Sequence, residues 1–339
     1  MDAEVQKRLK LAAELSSGMP GGSLGSSPEV IPLAGGGSER RFYRILQGKR
    51  SAVALVHIGG GAEFDSYLAI GEFLRRNGIG VPLFYGADRP QGVLLMEDLG
   101  NLHLEDALRG ATADEELSLY RDCIGILVRL ETNVTESMNY EGLLTSRLFD
   151  EDTLLGETDY FRKEFIDAYC PIDVPEGWER ERRYIVKILV KQRRVFMHRD
   201  FQSRNIMIKA GSIRIVDFQT AHRGPGLYDA ASLLKDPYHP LPAGVRYVLL
   251  RELFDGLNCE GCAVSKNFNE FYEHFTLAGI QRNLQALAAF ASLGHKKGKE
   301  RFLDSIPNCL NLVEEGIEES GRFPALQKMI DEIRVKLNK

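Results

Sequence analysis

Disulfide chemistry has little to work with in this chain. Its 339 residues hold five cysteines, an odd number with no framework spacing, which argues against a disulfide-stapled scaffold and for reduced thiols in the cytoplasm. Cys259 and Cys262 form a lone C-x-x-C. Without a second pair to complete a tetrahedral zinc site, they read as a helix-end turn with two free thiols. No stretch approaches the roughly 18 uncharged apolar residues of a membrane span. The opening Met1 to Lys10 is charged and has no apolar core, so no secretory signal is expected. Positive charge is not in excess either: 43 basic against 48 acidic residues give a net charge of −5. That balance offers no argument for nucleic acid or an anionic membrane as partner. Internal repeats are lacking, and oligomeric state is not legible.

What is present falls into three parts. Residues 2–16 have the spacing of a short amphipathic helix, and 16–28 are so rich in glycine and serine that a mobile linker is expected; together residues 1–28 form an N-terminal appendage. Residues 29–98 read as a small antiparallel sheet with one helix over 63–77, the lobe to which the motifs below assign the nucleotide. From 99 to 339 helical patterns dominate, over 113–132, 144–169, 177–192, 227–235, 243–256, 266–293, 297–319 and 324–337. The expected fold class is α+β, with a small β-rich lobe, a large helical lobe and a boundary near Asp98.

Short strands interrupt the helices at Phe196-Met197-His198-Arg199-Asp200-Phe201-Gln202-Ser203-Arg204-Asn205 and at Ile213-Arg214-Ile215-Val216-Asp217-Phe218-Gln219. A loop Asp, an Asn five residues on and a second Asp at a strand end are what a two-magnesium phosphoryl-transfer site requires. The H-R-D-x-x-x-x-N pattern is the catalytic signature of the protein-kinase-like fold. Asp200 is the candidate base. Asn205 and Asp217 supply the hard oxygen donors that magnesium prefers. His198 reads as support for the loop backbone. Arg199 reads as the partner of a nearby carboxylate. Asp229, opening the next helix, reads as a brace for the same backbone. Only a handful of residues separate Asp217 from that helix, too few for a peptide-docking segment, so a small-molecule substrate is expected.

Gly35, Gly36, Gly37 and Ser38 lie between two strands, where backbone N–H groups can cover phosphates. The third strand, Ala52 to His57, lacks the phosphate lysine that kinases carry there. His57 stands at about its place. Glu63 and Glu72 on the next helix have no such partner. Arg40, Arg41 and Arg44 are the candidate replacements, with Arg41 taken into the nucleotide set. The backbone of Glu97 and Leu99 is the expected adenine contact. Gln202, Arg204 and Gln219 are placed near the acceptor. Arg282 and Asn283, on an apolar-faced helix, read as surface or buried-network residues that could reach the substrate.

These motifs, together with Gly224-Pro225, Tyr228-Asp229, Gln281 to Leu284, Gly298 to Leu303 and Leu95 to Gly100, resemble the aminoglycoside phosphotransferase-like kinases. The likeness covers about residues 30–315. Within that family the nearest resemblance is to bacterial anomeric sugar kinases acting on N-acetylmuramate and N-acetylglucosamine in cell-wall recycling. The resemblance implies ATP, magnesium and a sugar hydroxyl, at C1, as acceptor, and a third strand that lacks the lysine throughout the subfamily. The glycine-serine stretch of 16–28 departs from it. Two other readings stand beside this one: a kinase for another small alcohol or amine such as choline, homoserine or an aminoglycoside, and a nucleotide-binding pseudokinase that regulates a partner.

Overall fold

The structure is a computed structural model. It describes residues 3–20, 22, 24, 28–33, 40–58, 61–138, 142–262, 265 and 267–337. The glycine turn Gly35, Gly36, Gly37 and Ser38 lies outside the described residues. By packing, the chain divides into two units: Met1–Leu102 with Ile206–Thr220, and His103–Asn205 with Ala221–Lys339. The sequence boundary near Asp98 thus differs from the division by packing, which groups 99–102 and 206–220 with the sheet.

The first unit is built on an antiparallel sheet. Its strands are β1 (Glu29–Pro32), β2 (Arg40–Gln47), β3 (Arg50–His57), β4 (Phe84–Asp88) and β5 (Val93–Glu97), in the order β1-β2-β3-β5-β4. The sequence reading missed β4, whose residues are mostly half-exposed and show no alternation. Strand alternation divides the apolar residues between two faces. Tyr43, Ile45, Ala52, Ala54, Val56, Val93 and Leu95 share a core with Val5, Leu9 and Ala12 of the helix Ala3–Glu14. On the other face, the hydroxyl of Tyr67, from the helix Ala62–Arg76, donates to the sulfur of Met96 at 3.6 Å.

Residues 15–24 do not behave as the expected mobile linker where they are described. Leu15–Gly18 is a 3-10 turn, Met19 and Leu24 are buried in the sheet core, and the Leu24 N–H donates to Ser16 Oγ at 2.8 Å. Two apolar side chains outweigh the flexibility of their glycine and serine neighbours, because each buries more area than the local backbone costs to order.

A hairpin completes this unit. In chain order the remaining strands are β6 (Arg194–Met197), β7 (Ile206–Lys209), β8 (Ser212–Ile215) and β9 (His222–Pro225). β7 and β8 are joined by Ala210 and Gly211, with φ of 49° and 74°, the left-handed pair that a two-residue hairpin turn requires. The Ile208 N–H donates to Leu102 O at 2.9 Å and the Ile215 N–H to Gly80 O at 2.8 Å, which ties the hairpin to the sheet unit.

The second unit is helical around Phe268–Ala291, a 24-residue helix buried on nearly every side. An apolar, non-amphipathic helix of this kind is a core element. β6 and β9 form a short antiparallel pair. The continuous helix expected over 144–169 is broken: Phe149 N–H donates to Arg223 O at 2.9 Å and Arg223 N–H to Arg147 O at 2.8 Å. Asp150 then caps the helix Glu151–Phe161 by accepting from the Thr153 N–H at 3.0 Å. A short polar side chain that satisfies the first orphan N–H groups starts a new helix there. The expected helix over 297–319 begins late as well, at Ile306–Ser320, after Gly298 (φ 65°) and a 3-10 turn at Glu300–Ser305. The helix Ala243–Cys259 ends in the expected turn, and all five cysteines are free. Among the described residues no helix is long and apolar enough to cross a membrane.

Candidate active site

In the second unit the chain leaves β6 and turns at Arg199, whose φ of 80° is left-handed. A side-chain-bearing residue holds that conformation at a cost of about 1–3 kcal/mol, so the surroundings must over-determine it. They do. Asp229, in the first turn of the helix Leu227–Leu234, accepts the N–H of His198 at 2.5 Å and of Arg199 at 2.8 Å. Its burial pushes the carboxyl up to about 7, against the pull of the two N–H donors. His198 is fully buried, and its Nδ1 accepts the Asp200 N–H at 3.3 Å. Arg199 reaches the buried Glu157 at 3.5 Å. Glu157 also accepts from the Tyr228 hydroxyl at 3.0 and 2.9 Å, while burial raises its carboxyl.

A second carboxylate, which the sequence reading did not single out, holds the far side of the loop. Asp236 is completely buried and accepts the N–H of Ser203 at 2.8 Å and of Tyr238 at 2.9 Å. Burial raises its carboxyl too. The signal was an acidic residue directly after an apolar helix: a carboxylate there must find donors or remain in solvent.

Asp200 itself is held by Arg282. Arg282 Nη2 donates to Asp200 Oδ1 at 3.0 Å and to Gln202 Oε1 at 2.9 Å. Its Nε donates to Ser232 Oγ at 3.0 Å and its Nη1 to Gln285 Oε1 at 2.6 Å. Burial alone would weaken the hold on its proton, but the neighbouring Asp200, first among several groups, keeps the guanidinium firmly charged. Asn283 takes no part in this contact. It is buried and donates to Lys235 O and Gly279 O at 3.2 and 3.0 Å. Three consecutive polar residues, Gln281 to Asn283, inside an apolar helix were the available signal that partners existed.

Asn205 is tied back into its own loop. Its Nδ2 donates to Asp200 O at 3.0 Å and its backbone N–H to Gln202 O at 2.8 Å. Arg204 is committed elsewhere: its Nε pairs with Glu105 at 2.7 Å and its guanidinium lies 3.6 Å from the Tyr238 ring centroid. It ties the loop to the helix Leu104–Leu108.

In the first unit, Asp217 follows β8 with φ of 65°. Its Oδ1 accepts from Arg40 Nη2 at 3.0 Å and from Gln219 Nε2 at 3.1 Å. Gln219 is buried. Phe218 packs on Tyr67, with centroids 4.7 Å apart. This close seat depends on Gly71: a Cβ there would fall 2.5 Å from the Phe84 ring and 3.1 Å from Phe218. Arg44 goes to Asp98 at 2.7 Å and to Gly100 O at 2.9 Å, so it is spoken for. Burial would raise the Asp98 carboxyl, but Arg44 and the Gly100 N–H hold it low. The Glu97 carboxylate takes Lys209 at 2.7 Å. Leu99 is buried, as is His57. Arg41 is exposed and, by strand alternation, points to the face opposite Arg40.

Taken each within its own unit, the amide of Asn205 and the carboxylate of Asp217 carry oxygens of the hard kind that magnesium takes, commonly from one or two protein groups with phosphates completing the shell. Among the described residues no group of three or more His, Cys, Asp or Glu could hold a metal by itself.

The model of the phosphotransferase enzyme family matches residues 29–260. The N-acetylmuramate/N-acetylglucosamine kinase of Pseudomonas aeruginosa is 27% identical over 307 residues, covering 89% of this chain and 88% of the relative. The kinase of the same name from Neisseria meningitidis is 29% identical over 262 residues, covering 75% and 76%. Among solved structures, the ADP-bound aminoglycoside phosphotransferase APH(2'')-Ib superposes with a TM-score of 0.61 at 14% identity, covering 93% of this chain and 99% of that one. The fold is the α+β protein-kinase-like fold, with its antiparallel sheet and its helical part.

Proposed function

This chain belongs to the phosphotransferase enzyme family, and from that premise we propose that it transfers the γ-phosphoryl group of ATP to the anomeric C1 hydroxyl of N-acetylmuramate, N-acetylglucosamine or a related hexose. The names of its relatives, matched over 88% and 76% of their length, support the sugar acceptor. A sugar 1-phosphate of this kind belongs to cell-wall recycling.

The observation that carries the reading is the over-determined loop from His198 to Asn205. Two buried carboxylates hold its backbone, and Arg282 holds the Asp200 carboxylate. Asp200 is the general base: it accepts the proton of the attacking hydroxyl, with Arg282 fixing which way its carboxylate faces. General-base help is modest in phosphoryl transfer, where positioning and electrostatics dominate. Asn205 Oδ1 and the Asp217 carboxylate would hold magnesium, which when bound neutralises charge developing on the phosphates. Gln202, fixed by the same guanidinium as Asp200, is the residue we place beside the acceptor. The glycine turn at 35–38 and the backbone of Glu97 and Leu99 form the rest of the proposed nucleotide set.

The test is ADP release by purified protein with Mg-ATP across a panel of amino and neutral hexoses, followed by phosphorus NMR of any product. An anomeric phosphate resonance is expected. Sugar-independent ADP release, or turnover only with choline or an aminoglycoside, would overturn the sugar assignment.

A further inference from the structure

The third strand has no lysine, yet the structure contains the ion pair that such a lysine would make. Arg40 opens β2, and its Cα partner across the antiparallel ladder is His57, the last residue of β3. Directly opposite residues in an antiparallel pair project to the same face. The Arg40 side chain therefore emerges beside the position where a third-strand lysine would stand. From there its Nε reaches Glu63 Oε1 at 3.1 Å, in the first turn of the helix that follows β3. Its Nη2 reaches Asp217 Oδ1 at 3.0 Å. We propose that Arg40 is the phosphate-contacting cation of the nucleotide site, held by Glu63, and that it replaces the absent lysine from the neighbouring strand.

Three observations favour this over a purely structural ion pair. Arg40 is buried to 7% exposure, whereas the side chains of Glu63 and Asp217 are 41% and 43% exposed. Pairs with partners that open to solvent contribute little to stability, about 0–1 kcal/mol, so stability alone is a weak reason to bury a guanidinium there. Among the described residues, one cation stands between two carboxylates, leaving this trio at net −1, a balance that suits a site meant to receive a metal-bound nucleotide. A guanidinium also presents a planar fork matched to phosphate oxygens. The neighbouring arginines do not compete. Arg44 is committed to Asp98, and Arg41 points to the opposite face.

The inference rests on the kinase reading, and its test separates the two. Equilibrium binding of Mg-ATP and of adenosine, without sugar, is measured for the wild type, Arg40→Met, Glu63→Gln and the double variant Arg40→Met with His57→Lys. Losing a charge-assisted phosphate contact should weaken Mg-ATP roughly 10- to 100-fold in Arg40→Met, with adenosine affinity unchanged, since adenosine has no phosphate. Glu63→Gln should weaken Mg-ATP roughly 3- to 10-fold by loosening the guanidinium. Lysine at position 57 should restore at least part of the loss. If the wild type binds Mg-ATP and Arg40→Met binds it equally well, or loses adenosine to the same extent, Arg40 is not the phosphate contact. If the wild type binds no nucleotide, the kinase reading itself fails. Should Arg40→Met not fold, Glu63→Gln carries the same test, because its side chain is half-exposed; unchanged Mg-ATP affinity there refutes the proposal.

Discussion

Arg282 Nη2 lies 3.0 Å from Asp200 Oδ1 and, through the same nitrogen, 2.9 Å from Gln202 Oε1. One buried guanidinium thus fixes both the proposed base and the residue proposed beside the acceptor. Arg282→Lys keeps the charge but loses the fork, and cannot hold both. We expect kcat to fall about 10- to 100-fold, or about 1.4–2.7 kcal/mol in the barrier, with KM for ATP little changed. Steady-state kinetics with each substrate varied will check it; an equal rise in KM for ATP would mean that Arg282 acts by general disruption.

Asp200→Asn preserves the shape of the loop and removes the proton acceptor. Loss of a general base typically costs about 10²–10⁴-fold in rate. The low end is expected here, with Mg-ATP binding intact. Wild-type turnover by the variant would remove Asp200 from the chemistry.

Asp229 makes stability depend on pH in a definite direction. Its folded-state carboxyl is pushed up to about 7 by burial, from an ordinary value of 3.8. Between those pH values the folded protein holds a proton that the unfolded chain has released. Stability therefore falls as pH rises through this window and levels off above it, with a slope of up to about 1.4 kcal/mol per pH unit from this group. Denaturant titrations of wild type and Asp229→Asn, compared from pH 4.5 to 8, should show that slope lost in the variant. Parallel pH profiles would assign the dependence to other buried carboxyls such as Asp236.

Gly71→Ala tests how the helix Ala62–Arg76 is seated. The new Cβ would fall 2.5 Å from the Phe84 ring, and overpacking of this sort costs about 1–3 kcal/mol. Thermal unfolding should show the loss; an unchanged Tm would mean that the aromatic rings yield freely.

Leu24→Ala tests whether residues 15–24 are part of the core. Leu24 is 6% exposed in the same cluster as Val5 and Ile45. Truncating a buried leucine costs about 2–5 kcal/mol, whereas a mobile linker would tolerate the change. Denaturant midpoints decide between the two.

The sequence by itself singled out Asp200, Asn205 and Asp217 as candidates, because their spacing along one strand-loop-strand stretch is local and survives without knowledge of packing. It also determined the α+β class and most helices, since period and caps are read within a window of a few residues. Tertiary structure decided what those windows cannot contain. Asp236 braces Ser203 from 33 residues away, Arg282 reaches Asp200 from 82 away, and Arg40 reaches Asp217 from 177 away. Each is an arginine or aspartate of a kind that usually sits in solvent, and only folding shows that these are buried and must be paired. The lysine missing from β3 belongs to the same class. A gap in one strand is visible in the sequence; the cation that faces it from the next strand appears only when cross-strand register places Arg40 opposite His57.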